Sequence, residues 1–230
     1  MEQYLKRIIL DIKDITKNPI DNIYYIPNDE NICEGYAMII GPEMTPYQYG
    51  YYLFKFNFTK KYPYSPPKVT YHTNDGLTRF NPNFYRNGKV CLSILNTWEG
   101  EKWSSCQSIR SILITLQMTM NETPLLNEPG IREISHGRQI RTYNEIIEYK
   151  NIELAIIRYL ENEENIPDKF RMFYSIMDKK YEENKDYIIK IIEKNLGGAC
   201  SEQKKCINIY NMTACCNYEL LHDKINMLKN

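Results

Sequence analysis

The chain has no net charge, with 29 Lys plus Arg against 29 Asp plus Glu in 230 residues. No overall field therefore favours nucleic acid or an anionic membrane as a partner, although local patches remain open. Long apolar runs are missing too: no stretch approaches the ~20 residues that a membrane helix needs. The first ten residues carry Glu2, Lys6 and Arg7 in place of the apolar core of a secretory signal. The expected address is intracellular, cytoplasmic or nuclear. Histidine is scarce, with only His72, His136 and His222, and none sits in a hydrolase signature, which counts against a thiol hydrolase. Seven cysteines, an odd number with no secretory signal, speak against a disulfide framework. Cys200, Cys206, Cys215, Cys216 and His222 in the tail form no paired Cys-x-x-Cys knuckle, so no metal is expected. Repeats and low-complexity segments are absent as well.

With 43% apolar residues, the chain can bury one substantial core, with or without an appended subdomain. Leu5, Ile8, Ile9, Ile12 and Ile15 recur at helical spacing opposite Lys6, Arg7, Asp11, Lys13 and Asp14, and Asn18-Pro19 ends this first amphipathic helix. Short β-rich runs follow at residues 23–26, 36–40, 51–58 and 69–72, separated by turns such as Gly41-Pro42 and Ser65-Pro66-Pro67. In the third run, Phe54, Phe56 and Phe58 alternate with Leu53, Lys55 and Asn57, which makes one face strongly apolar. Consecutive strands on short connections predict an antiparallel meander of four strands. Residues 73–105 are irregular and longer than a structureless loop usually is, a sign of function. Helices are expected at residues 108–120, 142–160 and 170–193, then a break at Gly197-Gly198 and a polar tail with weak helical character. The expected fold is thus α+β, with a compact β-containing part at residues 1–160 and a helical extension at 161–230.

One cysteine stands in a distinctive setting. Cys91 lies between Val90 and Leu92, just after the turn signal Asn87-Gly88. Asn81-Pro82-Asn83, then Gly88, then Cys91-Leu92-Ser93-Ile94-Leu95 resembles the active-site signature of ubiquitin-conjugating enzymes, in which an Asn stands eight residues before the catalytic Cys. Gly41-Pro42 with Thr45-Pro46-Tyr47 and Gly50 is similar to that family's first strand turn. Tyr62-Pro63-Tyr64-Ser65-Pro66-Pro67-Lys68-Val69 is similar to its proline-rich segment, and Trp103-Ser104 precedes the long apolar helix as the family's pattern requires. The resemblance covers most of residues 1–160. Asn81 stands where the family usually has His, and residues 96–102 lengthen the stretch between Cys91 and Trp103. With the extension, these features make the chain most similar to the large, C-terminally extended members of the family.

The resemblance implies a ubiquitin-conjugating fold, a four-stranded sheet flanked by helices. It also implies a thioester carrier at Cys91, loaded by an activating enzyme and discharged to a substrate lysine with a ubiquitin ligase. A thiolate suits this role because its thioester stays reactive toward an amine. Asn83 would donate to the oxyanion of the attacked carbonyl or organise the loop. Tyr85, Ser93 and either Asn127 or Glu128 would orient and desolvate the lysine. Lys6, Arg7, Tyr64, Ser104, Ser105 and Cys106 match the surface that docks the activating enzyme and ligase, where an exposed Tyr64 would serve as an anchor or else pack within its loop. Trp98 and Trp103 read as packing residues. No organic cofactor is implied, since ATP is used by the upstream activating enzyme. Conjugation of another ubiquitin-like modifier and a non-catalytic ubiquitin-binding variant are the alternatives.

Overall fold

Helix α1 (Gln3–Lys17) opens the fold in the computed structural model, which describes residues 2–196 and 203–228. Its stripe turns inward at Ile8 and Ile15, and Asn18 ends it by donating its N–H to the Asp14 carbonyl. Strands β1 (Ile23–Pro27), β2 (Glu34–Ile40), β3 (Tyr51–Asn57) and β4 (Lys68–Tyr71) form the expected antiparallel meander in the order β1-β2-β3-β4. Ala37 pairs with Phe54, and Phe54 with Tyr71.

Both faces of this sheet are covered. Leu53, on the face opposite the phenylalanines, is as buried as Phe54 and Phe56. The residues after 160 account for this: Phe170 packs edge-on against Tyr36 at 5.4 Å, and the Tyr51 hydroxyl donates to the Met177 carbonyl at 2.7 Å. A strand that alternates in sequence is buried on both faces over residues 51–54, and only Lys55 and Asn57 stay partly exposed, because a later segment returns over its second face.

Helix α2 (Ile109–Thr119) is central, with Ile109, Ile112, Leu113 and Leu116 fully buried. Ser108 and Ser111 close a reciprocal cap at its start, where each hydroxyl accepts the other's N–H. Helix α3 (Glu133–Lys150) starts earlier than the sequence suggests, then widens into a π-helical segment (Asn151–Ile157) before α4 (Arg158–Glu161). The widened turn buries Asn151, whose Oδ1 accepts the Tyr52 hydroxyl at 2.6 Å and whose Nδ2 donates to the Gln48 carbonyl at 2.9 Å. Gly50 makes room for it, since a Cβ there would lie 1.8 Å from Asn151 Oδ1.

The extension is helical over α5 (Tyr174–Lys194) and α6 (Tyr218–Met227) and also carries a hairpin that the polar tail does not announce. Strands β5 (Gln203–Ile207) and β6 (Met212–Cys216) pair antiparallel. In β6, Met212, Ala214 and Cys216 are buried while Thr213 and Cys215 are exposed. This alternation fixes one face, which leans on α3 with Lys205 Nζ 2.6 Å from Glu145 Oε2. One apolar core runs from Ile8 to Ile225 and includes Phe173, Met177, Ile188 and Leu221 of the extension. The Gly197-Gly198 break and Cys200 lie outside the described residues. Among the described residues, no helix is long and apolar enough to cross a membrane.

Candidate active site

Residues 78–97 wrap the end of the sheet, and short backbone pairings give them shape. Phe84 bridges to both Asn81 and Val90, and Lys89 bridges to Thr70 of β4. Asn87-Gly88 makes the predicted turn: Asn87 Oδ1 accepts the Lys89 N–H at 3.1 Å, and Gly88 takes φ +83, a left-handed conformation that suits glycine. A Cβ on Gly88 would also meet the Tyr71 carbonyl at 2.9 Å. The turn brings Cys91 back beside Asn83.

Asn83 and Cys91 hold each other twice. The Cys91 N–H donates to the Asn83 carbonyl at 2.9 Å, and Asn83 Nδ2 donates to the Cys91 carbonyl at 2.7 Å. Asn83 is 6% exposed, Cys91 is 1% exposed, and Asn83 Oδ1 is buried with no hydrogen-bond partner. The amide that the sequence singles out thus grips the cysteine's own main chain. Asn81 supports both: its Oδ1 accepts the Asn83 N–H at 2.9 Å, and its Nδ2 donates to the Tyr47 hydroxyl at 2.9 Å and the Thr119 carbonyl at 2.8 Å. An amide in place of the family's usual imidazole fills all these positions because it donates and accepts at once.

Downstream, Thr97 Oγ1 donates to the Val90 carbonyl and accepts the Leu92 N–H, each at 3.0 Å, which clamps the cysteine from its other side. Trp103 closes the lengthened stretch, with its N–H 3.0 Å from Asn96 Oδ1 and its indole donating to the Pro63 carbonyl at 2.6 Å. The tip of this stretch returns onto Ser93: a Cβ on Gly100 would stand 3.2 Å from the Ser93 Cβ. Two clefts flank the cysteine segment and share Lys89 and Thr97. One, of about 680 Å³, is bordered by Trp98, Lys102 and Pro129; the other, of about 600 Å³, by Pro66, Val69 and Val90. Trp103 packs as expected against Tyr62, whereas Trp98 borders a cleft.

Asn127 and Glu128, left open by the sequence, make different contacts. Asn127 Nδ2 donates to the Thr119 carbonyl at 3.0 Å and its Oδ1 accepts from Asn121, so both ends bind the C-terminal end of α2. Glu128 Oε2 accepts the hydroxyl of Tyr210, a residue of the extension. Tyr85 is half-buried under the Arg79 guanidinium, whose carbon lies 3.3 Å from the ring centre. Arg79 is 9% exposed and donates to the carbonyls of Asn81 at 3.1 Å and Pro82 at 2.7 Å. A buried cation is tolerated where carbonyls and aromatic faces replace water. Sequence inspection passes over Arg79 and Tyr210; only the basic residue two positions before Asn81 hints at the first.

The expected docking positions lie apart from this loop. Lys6, Ser104, Ser105 and Cys106 are exposed, and Tyr64 is 70% exposed, with its hydroxyl accepting from Gln3 Nε2 at 3.1 Å. Arg7 is half-buried and engaged within the chain, donating to Asp11 Oδ1 and the Ser105 carbonyl, both at 2.8 Å, and to the Gln107 carbonyl. It joins α1 to the start of α2. The histidines are held elsewhere, His72 with Thr70, His136 with Ser135 and His222 with Asn226. Among the described residues, no group of three or more His, Cys, Asp or Glu is disposed to hold a metal.

Comparison with known proteins adds to this geometry. Residues 7–150 match the family described as "Ubiquitin-conjugating enzyme". The chain is 42% identical over 186 residues to ubiquitin-conjugating enzyme E2 Z of Xenopus tropicalis, covering 80% of this chain and 58% of that protein. The Danio rerio protein of that name is 40% identical over 196 residues, covering 85% and 59%. The Homo sapiens one is 42% identical over 186 residues, covering 80% and 52%. The chain thus spans less than two thirds of the length of these curated relatives.

Proposed function

Because the chain belongs to the ubiquitin-conjugating enzyme family, we propose that Cys91 accepts ubiquitin as a thioester from an activating enzyme and passes it to a substrate lysine, usually with a ligase. The observation that carries this reading is the double clasp of Asn83 and Cys91 inside a loop that Asn81, Arg79 and Thr97 also hold through main-chain contacts. It supports Cys91 as the carrier thiol, a buried cysteine whose main chain is held on both sides.

In the loading step, the Cys91 thiolate attacks the carbonyl of the activating enzyme's thioester and displaces that enzyme's thiolate. In discharge, a neutral lysine amine attacks the Cys91 thioester, the oxyanion collapses, the carbon–sulfur bond breaks, and Cys91 leaves as thiolate while the amine loses a proton. The Asn83 amide is engaged by the Cys91 carbonyl, which supports a loop-holding role; it reaches the oxyanion once that carbonyl is released. Burial of Cys91 means that docking partners uncover the sulfur, and the cleft over Pro66, Val69 and Val90 offers an extended modifier tail an apolar bed. Tyr85, Ser93 and Glu128 shape the approach of the lysine, and Lys6, Tyr64 and residues 104–106 receive the partners. ATP acts only upstream. We assign this chemistry to residues 1–160, with 161–230 as an extension, and to the interior of the cell.

A loading assay with activating enzymes, ATP and a panel of ubiquitin-like modifiers tests the proposal. A reductant-sensitive adduct on the wild type, absent from Cys91→Ala, is the expected outcome. No adduct with any modifier would overturn it. A stable adduct with a modifier other than ubiquitin alone would redirect it to that modifier.

A further inference from the structure

Tyr210, at the turn of the β5–β6 hairpin, meets Glu128 and two arginines of the loop around Cys91. Its hydroxyl donates to Glu128 Oε2, and its main-chain carbonyl accepts Arg86 Nη2 at 2.7 Å. Its ring faces the Arg79 guanidinium carbon at 5.0 Å, with Tyr85 on the same guanidinium at 3.3 Å. Met212, two residues on, accepts the Arg79 N–H on its sulfur at 3.4 Å. The backbone of Tyr210 takes φ +65, a left-handed conformation that costs a bulky residue on the order of 1 kcal/mol and persists where its surroundings require it. The surroundings here are these contacts.

Resting on the proposed function, we infer that Tyr210 is a positioning residue for discharge: it holds Glu128, and through Arg79 it holds Tyr85, where the incoming lysine amine is received. One carboxylate oxygen of Glu128 is taken by the phenol, which leaves the other to accept from an ammonium or amine. Burial and the neighbouring Glu128 carboxylate both push the Tyr210 hydroxyl up, so it stays protonated and able to donate. The extension thereby becomes part of the acceptor side of the site. A residue that holds the acceptor-side groups without touching the thioester is expected to change affinity for the acceptor more than the chemistry at the thioester.

The test uses the full chain loaded with whichever modifier it accepts, with single-turnover discharge to free lysine followed over a lysine titration. Tyr210→Phe keeps the ring, and thus the fold, but removes the donor. It should load to completion and require about fivefold more lysine for half-maximal discharge, with the rate at saturation little changed, as expected when a lost hydrogen bond acts on the lysine only through the group it held. Glu128→Gln, which removes the receiving carboxylate itself, should raise the lysine requirement at least as much, and the double variant should match Glu128→Gln alone, because Tyr210 acts through Glu128. A lysine dependence of Tyr210→Phe equal to wild type, or losses that simply add in the double variant, would overturn the inference and leave the proposed function standing. A wild-type chain that cannot be loaded overturns the proposed function itself.

Discussion

The loop from Arg79 to Thr97 and the face made by α1, Tyr64 and residues 104–106 treat their polar groups in opposite ways. In the loop, Asn81, Asn83, Arg79 and Thr97 all bind main-chain groups nearby, and Asn81 and Asn83 are almost completely buried. On the face, Lys6, Tyr64, Ser104 and Ser105 stand in solvent. A pre-formed site needs its groups fixed before the substrate arrives, whereas a docking surface needs groups that a partner can still engage. Arg7 shows the boundary between the two, since it lies beside the face but is engaged by Asp11 and by carbonyls of the chain. Substitutions in the first region should change chemistry, and those in the second should change recognition.

The largest effect after loss of the thiol itself is expected at Asn83. Asn83→Ala should still load, yet discharge to lysine about a hundredfold more slowly, whether the amide stabilises the oxyanion or holds the loop. Single-turnover rates equal to wild type would break the contrast, because the buried loop would then tolerate loss of its clasp. A smaller loss, about tenfold, is expected for Tyr64→Ala, as for an exposed aromatic anchor. It should fall on ligase-stimulated discharge more than on discharge to free lysine. Equal losses in the two would mean that Tyr64 is not part of a docking face.

The smallest effect concerns the approach to the loop. Burial alone would raise the carboxyl of Asp75, but hydrogen bonds from the N–H groups of Thr78 and Leu77 and from the Thr78 hydroxyl outweigh it and hold it below the usual carboxylate range. With its folded value depressed, Asp75 contributes stability that is present above the unfolded carboxylate range and lost as pH falls through the folded value. Thermal melts of Asp75→Asn should therefore lie below wild type at neutral pH, by no more than about 2 °C, and converge with it in acid. A difference that is independent of pH would show that the turn does not rely on the charge.

Much of the fold and site was legible residue by residue. Helical spacing ending at Asn18-Pro19 marked α1, the alternation around Phe54 and Phe56 marked β3, and the apolar run after Ser108 marked α2. These signals are local, and the structure follows them closely. The β5–β6 hairpin was obscured because Lys204, Lys205 and Thr213 make the segment polar on average, and its buried face exists only against distant elements, α3 and the backbone at Arg79. Asn127 and Glu128 were indistinguishable as neighbours in a motif. Their different contacts depend on what surrounds them, α2 for one and Tyr210 for the other.

Taken alone, the order of residues determined the meander and the turn at Asn87-Gly88, because each rests on neighbours in sequence and on backbone conformations that particular side chains favour, while Asn83 and Cys91 were singled out together only by the resemblance of their motif to a known family. Only the tertiary structure decided that both faces of the sheet are covered and that the Arg79 guanidinium meets the rings of both Tyr85 and Tyr210. It alone decided that Tyr210 reaches Glu128 across 82 positions. Contacts of that span have no local pattern to announce them; they form when burying the extension against α3 and the sheet carries the hairpin turn to the mouth of the site.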